Sequence, residues 1–515
     1  VGTPDRAATV ARPHAAPGTL DAALEDHWRT AAVTPTPAAD DAVFVRRLTL
    51  DLAGRIPTAE EVTSYVEDPR PDKRERRVDA LLADEEFAAH WADVYTELLL
   101  GGATQLPGGI EQGTHAWLEQ ALAGDADWAD MTTELLTVSG RVEPESPAGF
   151  IAVHGRKGRV EALTGTTARV FLGVSIECAQ CHDHPLDDRY TQRDFYELAA
   201  YFAQTRPRVR KGGDMGREIT IVDRRRGQMR MPTADDAPGT RTGPLVLPAF
   251  FGQTQADDPD QTRREALASS IVDSPLFAKA AVGRVWTQLF GRGVVDPWHD
   301  LGAPDQAHPA LLDHLADDFR DHDHDLRHLV RTIVLSRAYD RASADPSAEA
   351  TTQTAARRQA FARFPVRPMT VHQLVRSLLV ATGRRDDTIA QRERTVDKIV
   401  RQARKAHLVE HGDDEMLSAD TFTGSVPQAM FLLGGPLTVR GASAGPRGTL
   451  RDIMDDHTST AARLDALMLA TVGRTATPEE QSRLGGYVDE HSRPQPAFED
   501  VMHAVLLSSE FLSIH

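Results

Sequence analysis

The same arrangement recurs near each end of the chain. Leu48-x-Leu50-x-x-x-Gly54-Arg55-x-x-Thr58-x-Glu60-Glu61 returns as Leu467-x-Leu469-x-x-x-Gly473-Arg474-x-x-Thr477-x-Glu479-Glu480. Each copy reads as an apolar helix, a glycine that stops it, and a threonine with a glutamate three residues on, the capping box that opens a second helix. A chain built this way satisfies its pattern by packing helices, so the repeat is read as a packing unit without chemistry of its own. An apolar-acidic-Phe ending follows each copy, at 81–87 (LLADEEF) and 506–511 (LLSSEF), and 273–277 (DSPLF) echoes it.

Helical periodicity extends well beyond the repeat. It covers 20–32, 41–53 (with Phe44, Leu48 and Leu52 on one face), 73–82, 85–100, 115–123, 126–138, 160–172 and 188–202, the last capped by Thr191 with Asp194 three residues later. From 206 to 251 Pro and Gly become frequent, and 218–222 and 228–231 read as short strands around a basic turn. Helices resume over 262–272, 275–290, 309–319, 325–336, 371–382, 459–471, 477–490 and 498–511, while the charged 386–420 stretch reads as part helix, part exposed loop. A chain of 515 residues exceeds the size at which one core usually stops growing. The expected fold is therefore mainly α: a flexible 1–19 segment, a helical domain over 20–205, a short β-containing, Pro/Gly/Arg-rich connection over 206–261, and a second helical domain over 262–515.

The chain's two cysteines fall together in Cys178-Ala179-Gln180-Cys181-His182-Asp183-His184-Pro185. This is the spacing of covalent c-type haem attachment, in which Cys178 and Cys181 form thioethers and His182 is the proximal iron ligand. His154, Met215, Met229 and Met231 are the candidates for the opposite face. The same residues allow a haem-free reading: a Cys178–Cys181 disulfide, or a Zn or Cu site using the cysteines with His182 and His184. A redox-active dithiol whose thiolate is favoured by His182 is the third reading. Asp296, Asp300 and His308 flank a Gly/Pro-rich connection and are the secondary acid/base candidates. His322-Asp323-His324-Asp325 with His314 and His328 could be drawn as a metal site, yet the stretch joins two helices with the polarity of an exposed connection and is read as a loop.

The net charge of −18 speaks against a nucleic-acid binder. Arg206 to Arg230 is the local exception, nine basic residues that suit a redox partner protein or another acidic partner. No apolar run approaches the roughly 20 residues of a transmembrane helix. The start at Val1 with a Pro/Ala/Thr-rich segment suits a trimmed chain whose export signal is gone, and thioether attachment of haem would itself require export to the periplasm, cell envelope or exterior.

Several stretches in order resemble the secreted two-domain proteins abundant in planctomycetes, in which a cytochrome-like domain of unknown function precedes a paired domain of unknown function. They are 48–58 (LTLDLAGRIPT), 87–91 (FAAHW), 171–202 with the CAQCHDHP core, 282–294 (VGRVWTQLFGRGV), 308–319 (HPALLDHLADDF), 326–339 (LRHLVRTIVLSRAY) and 426–435 (VPQAMFLLGG). Gly283 stands where that family tends to carry Asn. The resemblance implies an exported protein with a c-haem-type motif, and with it an electron-transfer or redox role.

Overall fold

The computed structural model describes residues 18–101, 109–124, 126–142, 145–156, 160–185, 187–210, 218–224, 226–236, 240–254, 260–295, 300–301, 308–344, 350–383, 389–405, 433–445 and 448–515. Helices dominate, and the strands are short: a three-stranded antiparallel sheet and separate two-stranded pairs.

The repeat folds as its sequence demands. Asp40 caps the helix Asp41–Ala53 by accepting from the Val43 amide at 2.8 Å, and Gly54 ends it with φ 67°. Thr58 and Glu61 form the capping box of Ala59–Val66. At the other end Gly473 closes Thr460–Val472 with φ 82°, and Thr477 with Glu480 opens Pro478–Asp489. The arginine after each glycine repeats its partners as well. Arg55 bonds Glu61 and Glu86, both at 2.7 Å, and Arg474 bonds Glu480 at 2.8 Å and Glu510 at 2.7 Å. Glu86 and Glu510 come from the apolar-acidic-Phe endings, so those endings close the unit through an ion pair.

Asp41–Ala53 departs from the one-faced helix expected of it, because it is buried on every side, Arg46, Arg47 and Asp51 included. A helix sealed all round must find partners for its charges. Arg46 donates to the Thr471 carbonyl at 3.2 Å and the Phe511 carbonyl at 3.0 Å, and Arg47 to the His515 carbonyl at 3.1 Å and the Arg341 carbonyl at 3.0 Å. Asp51 pairs with Arg367 and accepts from the Tyr339 hydroxyl at 2.7 Å. Every one of these partners lies in the C-terminal half. One contiguous apolar core accordingly runs from Leu20 to Ile514 through both halves.

In the connecting region the strands pair differently from the single turn expected. Glu218–Asp223 pairs with Thr205–Arg210 on one side and Gly140–Arg141 on the other, whereas Met229–Arg230 pairs with Leu245–Val246. Ile219 and Ile221 are buried, while Arg141 and Arg208 are exposed. The third strand, Gly140–Arg141, pairs along the hairpin's edge from far away in the chain, a contact that local alternation does not announce.

Candidate functional site

The motif is built at the end of a helix held from both halves. Val160–Thr167 runs into a wider π-helical turn, Ala168–Leu172, and Gly173 stops it with φ 64°. Buried Arg284 donates to the Val170 carbonyl in that turn, and the Leu301 amide donates to the Gly173 carbonyl at 3.0 Å. The chain then enters a 3₁₀ turn, Glu177–Gln180, anchored by buried Ile176 and Ala179. Residues three apart eclipse in a 3₁₀ turn. Cys178 and Cys181 are both exposed free thiols, joined by a Cys181 N–H to Cys178 carbonyl bond of 3.3 Å.

The N-terminal end of Gln192–Phe202 holds the remainder of the motif. The Gln180 carbonyl accepts from the Tyr196 hydroxyl and from the Gln192 side chain, each at 3.2 Å, and Asp183 accepts from the Gln192 amide at 2.8 Å. His182 Nδ1 lies 2.7 Å from the Asp183 carbonyl oxygen. A carbonyl can only accept, so Nδ1 carries the proton and Nε2 of this exposed ring keeps its lone pair. A ligating histidine is commonly oriented by just such a second bond. His184 is half-buried and its amide donates to the Tyr190 carbonyl at 2.9 Å.

Two thiols and an imidazole are the donor types of thioether haem attachment and also ligands that zinc or copper takes. Among the described residues, the three-donor group whose atoms lie within 4.8 Å of one another is Asp318, His322 and His328, apart from the motif. Of the candidates for the opposite face, His154 donates from Nε2 to the Leu99 carbonyl at 2.8 Å, and burial pushes its pKa down to about 4. Met229 is buried in the core and Met231 packs against it. Met215 lies outside the described residues.

The acid/base candidates keep separate company. Asp296 lies outside the described residues. Asp300 adjoins the motif, where its charge acts on Tyr190, a phenol raised above its usual range mainly by burial. His308 is buried, its Nε2 2.9 Å from the Gln359 carbonyl and its ring 4.0 Å from that of His27. Burial holds its pKa down to about 4. In the basic segment Arg208, Arg224, Arg226 and Arg230 are exposed and Arg206 is half-buried.

One cluster escaped the sequence reading, and a second was read too simply. The first lines a cavity of about 530 Å³ where Glu85–Leu100 and Ile110–Ala123 face Val371–Ala381 and Ile389–Lys405. There Asp93 lies 2.6 Å from Arg376, 3.0 Å from His115 Nε2 and 3.6 Å from His372 Nε2. Burial alone would raise the Asp93 pKa, but the Arg376 charge, then His372 and His115, hold it well below the usual carboxylate range. Glu119 and Asp397 on the same wall are raised, chiefly by burial. Helical spacing flags Asp93 only as a polar position among aromatics, and its cationic partner Arg376 is remote in sequence. The second is the histidine link at 322–325, which is not simply exposed: Asp318 and His328 beside it are buried.

Residues 19–207 match the family model PSCyt2, described as a protein of unknown function (DUF1549), and residues 263–488 match PSD1, a protein of unknown function (DUF1553). No curated protein and no solved structure matches the chain.

Proposed function

We propose that this chain, which carries these two domains of unknown function in tandem, is an exported c-type-cytochrome-like electron-transfer protein of the planctomycete-type two-domain family. The observation that carries the reading is the 3₁₀ turn: two exposed thiols three residues apart, followed by an exposed imidazole whose Nδ1 is tied to a carbonyl. Cys178 and Cys181 would hold the haem vinyl groups as thioethers, and His182 would be the proximal ligand. When bound, the haem supplies a reversible one-electron couple. Gln192 and Tyr196 hold the turn in place through the Gln180 carbonyl and Asp183, so the residues that would carry the haem are presented from a fixed backbone. Export is part of the proposal, because thioether attachment takes place outside the bacterial cytoplasm. The exposed arginines at 208, 224, 226 and 230 offer an acidic redox partner a docking face.

The test is the visible spectrum of the full chain, exported from a host with haem c maturation machinery. A Soret band that survives acid-acetone extraction, and disappears in the Cys178→Ser/Cys181→Ser variant, is the expected result. Full-length exported protein without that band overturns it. Elemental analysis of the same sample then distinguishes a Zn or Cu site from a Cys178–Cys181 disulfide.

A further inference from the structure

The helix Pro309–Asp321 ends at His322, and the chain reverses through Asp323 and His324, both left-handed with φ of 53° and 57°. Asp325 then caps Leu326–Val334, accepting from the Arg327 amide at 2.8 Å. Two consecutive non-glycine residues in this conformation cost free energy and persist only where their surroundings impose them. The reversal brings His328 back over Asp318, its Nε2 2.8 Å from the Asp318 carboxylate. His322 lies beside it, with Nδ1 2.8 Å from the Asp318 carbonyl and 3.4 Å from its carboxylate. The two imidazoles stack with centroids 3.6 Å apart.

We infer that Asp318, His322 and His328 form a zinc site that clamps this turn. One donor atom from each lies within 4.8 Å of the others, and Asp318 and His328 are buried. One carboxylate and two imidazoles form a borderline donor set, which selects zinc over the hard cations calcium and magnesium. The Asp318 carbonyl fixes the proton of His322 on Nδ1, so Nε2 carries the lone pair, while His328 moves its proton from Nε2 to Nδ1 on coordination. The lone pairs lie in the ring planes, so binding turns the stacked rings apart. The fourth position falls to water or to His314, one turn before Asp318, whose charge already reaches that carboxylate. The clamped turn joins the halves: the Trp128 amide donates to the His324 carbonyl at 3.1 Å, and the His324 ring packs against Phe277 and Phe319.

Zinc chloride titrated into the full-length Cys178→Ser/Cys181→Ser variant tests this without interference from the thiols. Calorimetry is expected to show one saturable site, and His322→Ala in that background to weaken it about 100-fold. His322 sits at a helix end, so its metal-free melting curve reports whether the fold survives, and His322→Gln serves as a second variant of similar size. Absence of saturable binding in the thiol-free background, or a loss smaller than about tenfold in folded His322 variants, overturns the assignment.

Discussion

The guanidinium of Arg376 stands 2.6 Å from the carboxylate of Asp93, with both side chains almost wholly sealed from solvent. The pair joins Glu85–Leu100 of the first half to Val371–Ala381 of the second, and Glu393 completes it from a third helix. Buried charges are unfavourable unless neutralised, and removing Asp93 leaves Arg376 with Glu393 alone and takes the acceptor from His115. Asp93→Asn is expected to destabilise the chain by about 2 kcal/mol, measured by urea unfolding.

The same cluster makes stability depend on pH. Burial opposes a charged His115, but its hydrogen bond to Asp93 and the Asp93 charge raise its pKa above the ordinary value. A group raised in the folded state contributes stability that is complete below its unfolded pKa of about 6.5 and is lost as pH rises through the folded value. The destabilisation caused by His115→Gln should therefore be largest at mildly acid pH and shrink above neutrality. Parallel denaturation curves across that window check this.

His308 works in the opposite sense. Held neutral by burial, with a pKa near 4, it refuses a proton that the unfolded chain accepts below about 6.5. Stability should fall as pH drops from 6.5 towards 4, and His308→Gln should flatten that limb in thermal melts, whatever its effect at neutral pH.

The repeated arginines differ in exposure: the side chain of Arg55 is 11 % exposed and that of Arg474 30 %. Arg55→Ala removes a largely buried cation from Glu61 and Glu86, which keep Arg77 and Arg392, and should cost about 2 kcal/mol. Arg474→Ala removes the same bonds nearer solvent and should cost about 1 kcal/mol. Equal losses in chemical denaturation would contradict the difference in burial as the deciding factor.

Gly173 couples the motif to the second half. Its φ is 64°, and a methyl group there would stand 2.7 Å from Leu301 Cδ1 and 3.3 Å from Ala280 Cβ. Gly173→Ala should destabilise by about 2 kcal/mol. It should also loosen the turn, so that Cys178 and Cys181, already open to thiol reagents in the native cofactor-free chain, react faster still.

Much of this molecule is written locally. Gly54 and Gly473, the capping boxes of Thr58 and Thr477, and the apolar spacing of the long helices act within a few residues, so the mainly α architecture follows from them. The Cys178-x-x-Cys181-His182 spacing is equally local, and so is its chemistry. The partners of Arg46, Arg47 and Asp51 are not, since an arginine inside a helical pattern reads as a solvated position until a distant carbonyl or carboxylate is known to meet it. Asp93 with Arg376, and Asp318 with His328 across a left-handed turn, belong to the same class. The sequence by itself determined most of the long helices, where the repeated ones stop, and which turn carries two thiols and an imidazole, but not the short helices Gly149–His154 and Thr449–Asp456. Only the tertiary structure decided that the halves share one core and that their buried charges meet between them, because desolvation and ion pairing depend on contacts between residues far apart in the chain.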